Sequence, residues 1–257
     1  MKIISNFYDG KFIKSESTDK LSLFKPTTGE EYAHIPITTD KEFQSIIDKM
    51  KIAQASWANT PITKRSSILF KFKNLIEKNF DDIARIISEE HGKVFSDAKG
   101  SLQRGLEVVD FACGIPHLLK GNHSINVGTN VDSFDIKQPL GLCAGITPFN
   151  FPAMVPMWMF PISIACGNAF MLKPSEKVPQ CSLKLGELLN EAGLPENVLT
   201  IVNGDKSVVD KILQSPDISS VSFVGSTPVA KYIYTECAKY NKRVQALGGA
   251  KNHMLIM

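Results

Sequence analysis

The pattern of apolar and polar positions changes twice along the chain. The opening reads as short β-structure. Phe7-Tyr8-Asp9-Gly10-Lys11-Phe12 sets an Asp-Gly pair between apolar residues, a hairpin signal, and two more strands are predicted near 21–24 and 31–35. From residue 39 to about 117 the period lengthens to 3.6. Ile68, Leu69, Phe72, Leu75, Ile76 and Phe80 share one face behind a Thr63 cap, and the region predicts three or four helices. Residues 121–138 alternate again, with Ile125, Val127 and Val131 around Gly128-Thr129-Asn130, which predicts an extended ribbon.

After Pro139 strands and helices take turns. Strands are predicted at 140–146, 169–172, 198–202, 221–224, 243–247 and 254–257. Helices are predicted at 152–166, with Pro152 near its first turn and Gly167 at its end, then at 179–192, 207–213 and 227–240. This alternation predicts an α/β fold built on a parallel, doubly wound sheet, with ligand sites at the carboxyl ends of its strands. The last four residues, Met254-Leu255-Ile256-Met257, carry no polar tail, so the expectation is a truncated protein.

Composition narrows the partners. Twenty-nine Lys and Arg against 26 Asp and Glu give a net charge of +3 with no block of like charge, so neither a nucleic-acid face nor a polybasic membrane patch is expected and the partner is a small molecule. Residues 138–172 contain no charged side chain, yet Pro139, Pro148, Pro152, Pro156 and Pro161 break the run into pieces too short to span a bilayer. Five scattered cysteines without a CxxC pair, and an N-terminus without an apolar signal core, point to reduced thiols and a cytoplasmic setting. Cys113, Cys143, Cys166, Cys181 and Cys237 read as packing thiols, Trp57 and Trp158 as core, and the five histidines show no ligand spacing.

Three strand-to-helix loops carry candidate chemistry, although the G-x-G-x-x-G fingerprint is missing. In Thr147-Pro148-Phe149-Asn150-Phe151-Pro152 one amide, Asn150, stands in an apolar setting, where it serves either as a donor to a developing oxyanion or as a helix cap. In Lys173-Pro174-Ser175-Glu176-Lys177 a cation and an acid are placed to hydrogen-bond ribose hydroxyls, the alternative being a solvated charged loop. In Phe223-Val224-Gly225-Ser226-Thr227 a glycine and two hydroxyls open a helix, fitting either a pyrophosphate or a plain N-cap.

Together, in this order and at these separations, the three loops resemble the aldehyde dehydrogenase superfamily over nearly the whole chain. The run Gly145-Ile146-Thr147-Pro148-Phe149-Asn150-Phe151-Pro152, with Trp158-Met159-Phe160-Pro161 and Gly249-Ala250-Lys251-Asn252-His253, is most similar to its CoA-acylating methylmalonate/malonate-semialdehyde dehydrogenases. The resemblance implies a Rossmann-like NAD-binding domain with an N-terminal helical layer, formed by residues 1–121 and 138–257, and an oligomerisation β-ribbon at 122–137. It implies that Asn150 supplies the oxyanion donor and that Thr147 and Phe149 line the nicotinamide side of the cleft. Lys173, Glu176 and Lys177 would hold the adenosine ribose, and Gly225 with Ser226 the pyrophosphate. Arg104 would pair with the substrate carboxylate, against a plain reading as a surface helix arginine. NAD is the implied cofactor and coenzyme A the co-substrate, in a dimer or tetramer.

Two departures qualify the likeness. The usual E-L-G-G-K glutamate, which activates water, has no counterpart in Gln245-Ala246-Leu247-Gly248-Gly249-Ala250-Lys251-Asn252, which fits release of the product by a thiol. The family's nucleophilic cysteine lies on a later loop, so the chain by itself is expected to be inactive and to bind NAD weakly or not at all. The rival readings are a hydrolytic relative and a catalytically inactive binding or assembly module whose ribbon pairs with another subunit.

Overall fold

The computed structural model describes residues 2–250 and 252–257. Its elements follow in chain order. Short strands β1 (Lys2–Ile3), β2 (Asn6–Tyr8), β3 (Lys11–Ile13), β4 (Lys20–Phe24) and β5 (Glu31–Pro36) lead into helices α1 (Asp40–Ala58), α2 (Ile62–Lys78), α3 (Phe80–His91), α4 (Phe95–Cys113) and α5 (Ile115–Leu118). A ribbon of β6 (His123–Gly128) and β7 (Val131–Phe134) comes next. The alternating part then runs β8 (Leu142–Ile146), α6 (Met154–Ala165), β9 (Ala169–Lys173), α7 (Pro179–Glu191), β10 (Leu199–Ile201), α8 (Lys206–Gln214), β11 (Ile218–Val224), α9 (Thr227–Lys239) and β12 (Arg243–Leu247).

The main sheet has the order β12-β11-β8-β9-β10-β2-β3. Its five strands from β12 to β10 are parallel, and the β2–β3 hairpin extends it antiparallel to β10. Asp9 and Gly10 both take positive φ, 53° and 65°, which is what a tight two-residue hairpin requires. Because β8, β9 and β10 wind one way and β11 and β12 the other, the order reverses between β8 and β11. A crevice at the carboxyl ends is the consequence.

Two apolar cores flank the sheet, and the period of two along each strand divides them. Leu142, Ala144, Ala169 and Met171 face the core made with α1, α8 and α9, whereas Cys143, Phe170 and Leu172 face the one made with α2, α4, α6 and α7. Helix α6 is apolar on almost every side because it lies between the sheet and α4. Gly105 permits that approach: a Cβ there would stand 2.3 Å from Met157 Cε and 3.1 Å from the Met154 backbone.

Several expectations need correction. The helical region contains four long helices and a single short turn, α5. Thr63 lies inside α2, whose N-cap is Pro61, because Pro61 already holds an extended φ,ψ that starts the helix. Pro152 precedes the Ala153 N-cap of α6, and Pro161 sits inside the helix. Residues 254–257 form no strand: their side chains are 85–107% exposed, with no neighbouring strand to supply hydrogen bonds. Trp57 is core, but Trp158 is 39% exposed, since it falls on the one strip of α6 that faces neither the sheet nor α4. The ribbon is present, and every residue of β6 and β7 is exposed. No described helix is long and apolar enough to cross a membrane.

Candidate active site

The three loops singled out from the sequence meet at one edge of the sheet. Ile146, at the end of β8, is level with Lys173 of β9 on one side and with Phe223 of β11 on the other. The loops that begin at Thr147, Pro174 and Gly225 therefore leave adjacent strands side by side, at the point where the strand order reverses. The Thr147 N–H donates to the Lys173 carbonyl over 3.2 Å, which ties the first two loops together.

Asn150 is not a helix cap. Helix α6 starts at Met154 behind Ala153 and no side chain caps it, so the amide of Asn150 stays exposed in the loop. The cap reading of Asn150 is therefore not met in the fold. Lys173 is 4% exposed, with Nζ 3.1 Å from Glu176 Oε2, and burial lowers its pKa against the raising effect of Glu176 and Asp205. A buried ammonium bonded to a half-exposed carboxylate is a preset pair, unlike a loosely solvated charged loop. Lys177 is exposed, and its ammonium stands 5.0 Å above the ring of Phe149.

Gly225 packs against the ring of Phe223 on its own strand, which a Cβ there would have to displace. Its N–H donates to the Leu247 carbonyl at 3.1 Å. Ser226 occupies the N-cap position of α9, its hydroxyl makes no capping bond, and Ser226 to Val229 are exposed, with Pro228 supplying no N–H. The Gly249 N–H reaches Thr227 Oγ1 at 3.1 Å, so the loop after β12 borders the same helix end. Lys251, within that loop, lies outside the described residues.

Arg104 is exposed on α4, yet it is no isolated surface residue. It lines a groove of 300 Å³ together with Lys93, Asp97, Gly100, Ser101 and Phe151, directly beside the Asn150 loop. On the other side of that loop a 580 Å³ groove is lined by Phe149, Glu176, Lys177, His91, Glu90 and strand β4. Sequence reasoning missed His91 and Lys93. Gly92, at φ 84°, marks the end of α3, a signal for the turn between them. Nothing local indicates that this turn meets a loop 57 residues later.

The five cysteines are placed as packing thiols. Cys113, Cys143, Cys181 and Cys237 are buried and Cys166 half-buried, and burial raises every one of these thiols, Cys113 and Cys237 to about 11.

A sheet with this order, with three loops gathered at its reversal, is a doubly wound α/β fold whose crevice lies at the carboxyl ends of the strands. The chain belongs to the aldehyde dehydrogenase family, whose model matches residues 12–257. It is 50% identical over all 257 residues to malonate-semialdehyde dehydrogenase of Pseudomonas aeruginosa, covering 52% of that protein. It is 46% identical over 254 residues, 99% of the chain and 42% of the relative, to the acylating mitochondrial methylmalonate-semialdehyde dehydrogenase of Arabidopsis thaliana. A Sinorhizobium meliloti protein crystallised with NAD, a methylmalonate-semialdehyde dehydrogenase candidate, superposes with a TM-score of 0.96 at 48% identity, over 98% of this chain and 52% of that one. The chain thus spans about half the length of the relatives it matches.

Proposed function

We propose that this chain is the cofactor-binding portion of a CoA-acylating semialdehyde dehydrogenase acting on malonate or methylmalonate semialdehyde. The observation that carries the reading is the alignment of three ligand loops on neighbouring strand ends at the reversal of the sheet. NAD fits the residues present: Gly225 leaves the backbone bare, the Ser226 hydroxyl makes no capping bond at the start of α9, and the Lys173–Glu176 pair stands ready for ribose hydroxyls. When bound here, NAD would supply the hydride acceptor. Thr147 and Phe149 flank the nicotinamide, Asn150 donates to the oxygen that gains charge, Lys177 borders the ribose and Arg104 holds the substrate carboxylate.

The overall change converts aldehyde, CoA thiol and NAD⁺ into thioester, NADH and a proton. A thiol enters as thiolate and needs no base to activate water, which fits the absence of a carboxylate in residues 245–252. A full-length enzyme that contains this portion is expected to oxidise malonate semialdehyde with NAD only when CoA is supplied. Turnover unchanged without CoA in a spectrophotometric NADH assay would instead support the hydrolytic reading.

The ribbon is assigned to assembly. Ile125, Val127, Val131 and Phe134 are 51–70% exposed on two strands with free outer edges, a surface that is covered when another chain pairs with it. Sedimentation is expected to show an oligomer that Val127→Lys with Phe134→Lys converts to monomer, and a wild-type monomer at all concentrations would reject the assignment.

A further inference from the structure

The turn His91-Gly92-Lys93, between α3 and α4, grips the Asn150 loop at three successive residues. The His91 ring lies 6.2 Å from Phe149 in a stacked arrangement. Lys93 Nζ stands 4.4 Å above the Phe151 ring and donates to the Asn150 carbonyl at 2.9 Å. Lys93 also lines the 300 Å³ groove that contains Arg104, so two cations face one small cavity beside Asn150, with Asp97 as the one acid in its lining. Among the described residues no ion pair engages either cation. An ammonium has three donors, and the bond to Asn150 uses one, leaving two for an anion in the groove.

We infer that Lys93 is a second carboxylate contact and at the same time the positioning residue for Asn150, so that a small acidic substrate bound between Arg104 and Lys93 sets the oxyanion donor in place. The inference rests on the proposed reading of the Arg104 groove as the site of the substrate carboxylate. Its chemistry is selective by charge. A neutral aldehyde of equal size would fill the groove without engaging the ammonium, and Asn150 would then lack the anion-locked Lys93 that holds its main chain.

The test uses ¹H–¹⁵N spectra of the chain, with malonate as probe and malonamide as its neutral counterpart. Malonate is expected to shift the Asn150 side-chain amide and the Phe151 N–H saturably, and malonamide to leave both in place. Arg104→Met should weaken malonate at least tenfold. Lys93→Met should weaken it at least fivefold and abolish the Asn150 shift. Lys93→Gln keeps a donor for the Asn150 carbonyl without the charge, so it should lose affinity while the free-state Asn150 resonance stays at its wild-type position, which separates the two roles and covers a misfolded Lys93→Met. If Arg104→Met loses malonate but both Lys93 variants bind it as wild type does, with the same Asn150 shift, the role of Lys93 is overturned and the groove assignment stands. If the wild-type chain shows no saturable shift, or Arg104→Met changes nothing, the groove assignment and the inference fail together.

Discussion

Trp57→Ala is expected to unfold about 10 °C below the wild-type chain. The indole is 1% exposed, among the largest fully buried side chains, and its Nε1–H donates to the Ile164 carbonyl at 2.9 Å. Helix α1 gives Phe43, Ile46, Ile47 and Met50 to one core and Trp57 to the other, so this ring joins the two cores near the amino end of β9. Truncating a buried aromatic costs about 3–5 kcal/mol through lost transfer energy and the cavity left behind. In a chain of this size each kcal/mol moves the midpoint by about 2–4 °C. Trp57→Phe keeps part of the ring and removes the donor, while the Ile164 carbonyl still accepts from the Gly167 N–H at 2.9 Å, so the lost hydrogen bond should cost only about 0.5–1.5 kcal/mol. Calorimetric scans of both variants check this, and a Trp57→Ala midpoint within 2–3 °C of wild type, roughly the shift of a single kcal/mol, would show that the site collapses without a cavity.

The second large effect is a pH dependence set by Glu90. Its carboxyl is 4% exposed and accepts from the N–H groups of Gln180 at 2.8 Å and Cys181 at 2.9 Å, serving the first turn of α7 from 90 residues away. Burial pushes its pKa up from 4.5 to about 8, and the two backbone bonds and Lys2 oppose the rise without cancelling it. A carboxyl whose folded value exceeds its unfolded one favours the native state while protonated. That contribution is whole below pH 4.5 and is lost as pH climbs through about 8. The loss is at most about 1.4 kcal/mol per pH unit inside the window. Glu90→Gln carries no proton to lose. The wild-type advantage over it should therefore shrink steadily in urea titrations from pH 5 to pH 8. An advantage constant across that range would mean that Glu90 is ionised throughout.

Much of the fold was legible because its determinants are local. The Asp9-Gly10 turn needs only residues that tolerate positive φ, and the ribbon needs only alternation around Gly128 to Asn130. The alternating strands and helices after Pro139 follow from two periodicities, and with them the carboxyl-end loops where Thr147, Lys173 and Gly225 lie. The misreadings were places where a neighbour decides. Residues 254–257 have the composition of a strand, but a strand exists only when another backbone accepts its hydrogen bonds. Thr63 is a sound cap by residue type, yet Pro61 two positions earlier already starts the helix.

The candidate site divides in the same way. Asn150, Glu176, Ser226 and Arg104 could be named from residue type and loop position, since chemistry needing an amide, an acid, a hydroxyl or a guanidinium limits the choice. Which of two readings each residue has was a tertiary matter. Asn150 is free because Ala153 heads α6, and Arg104 borders the site because α4 packs on α6 through Gly105. By itself the sequence determined the order of elements, the family and the three loops, all properties of contiguous residues. Only the folded chain brought Lys93 to the carbonyl of Asn150 and Glu90 to the N–H groups of α7, because contacts 57 and 90 residues apart depend on how helices pack and leave no mark in local periodicity.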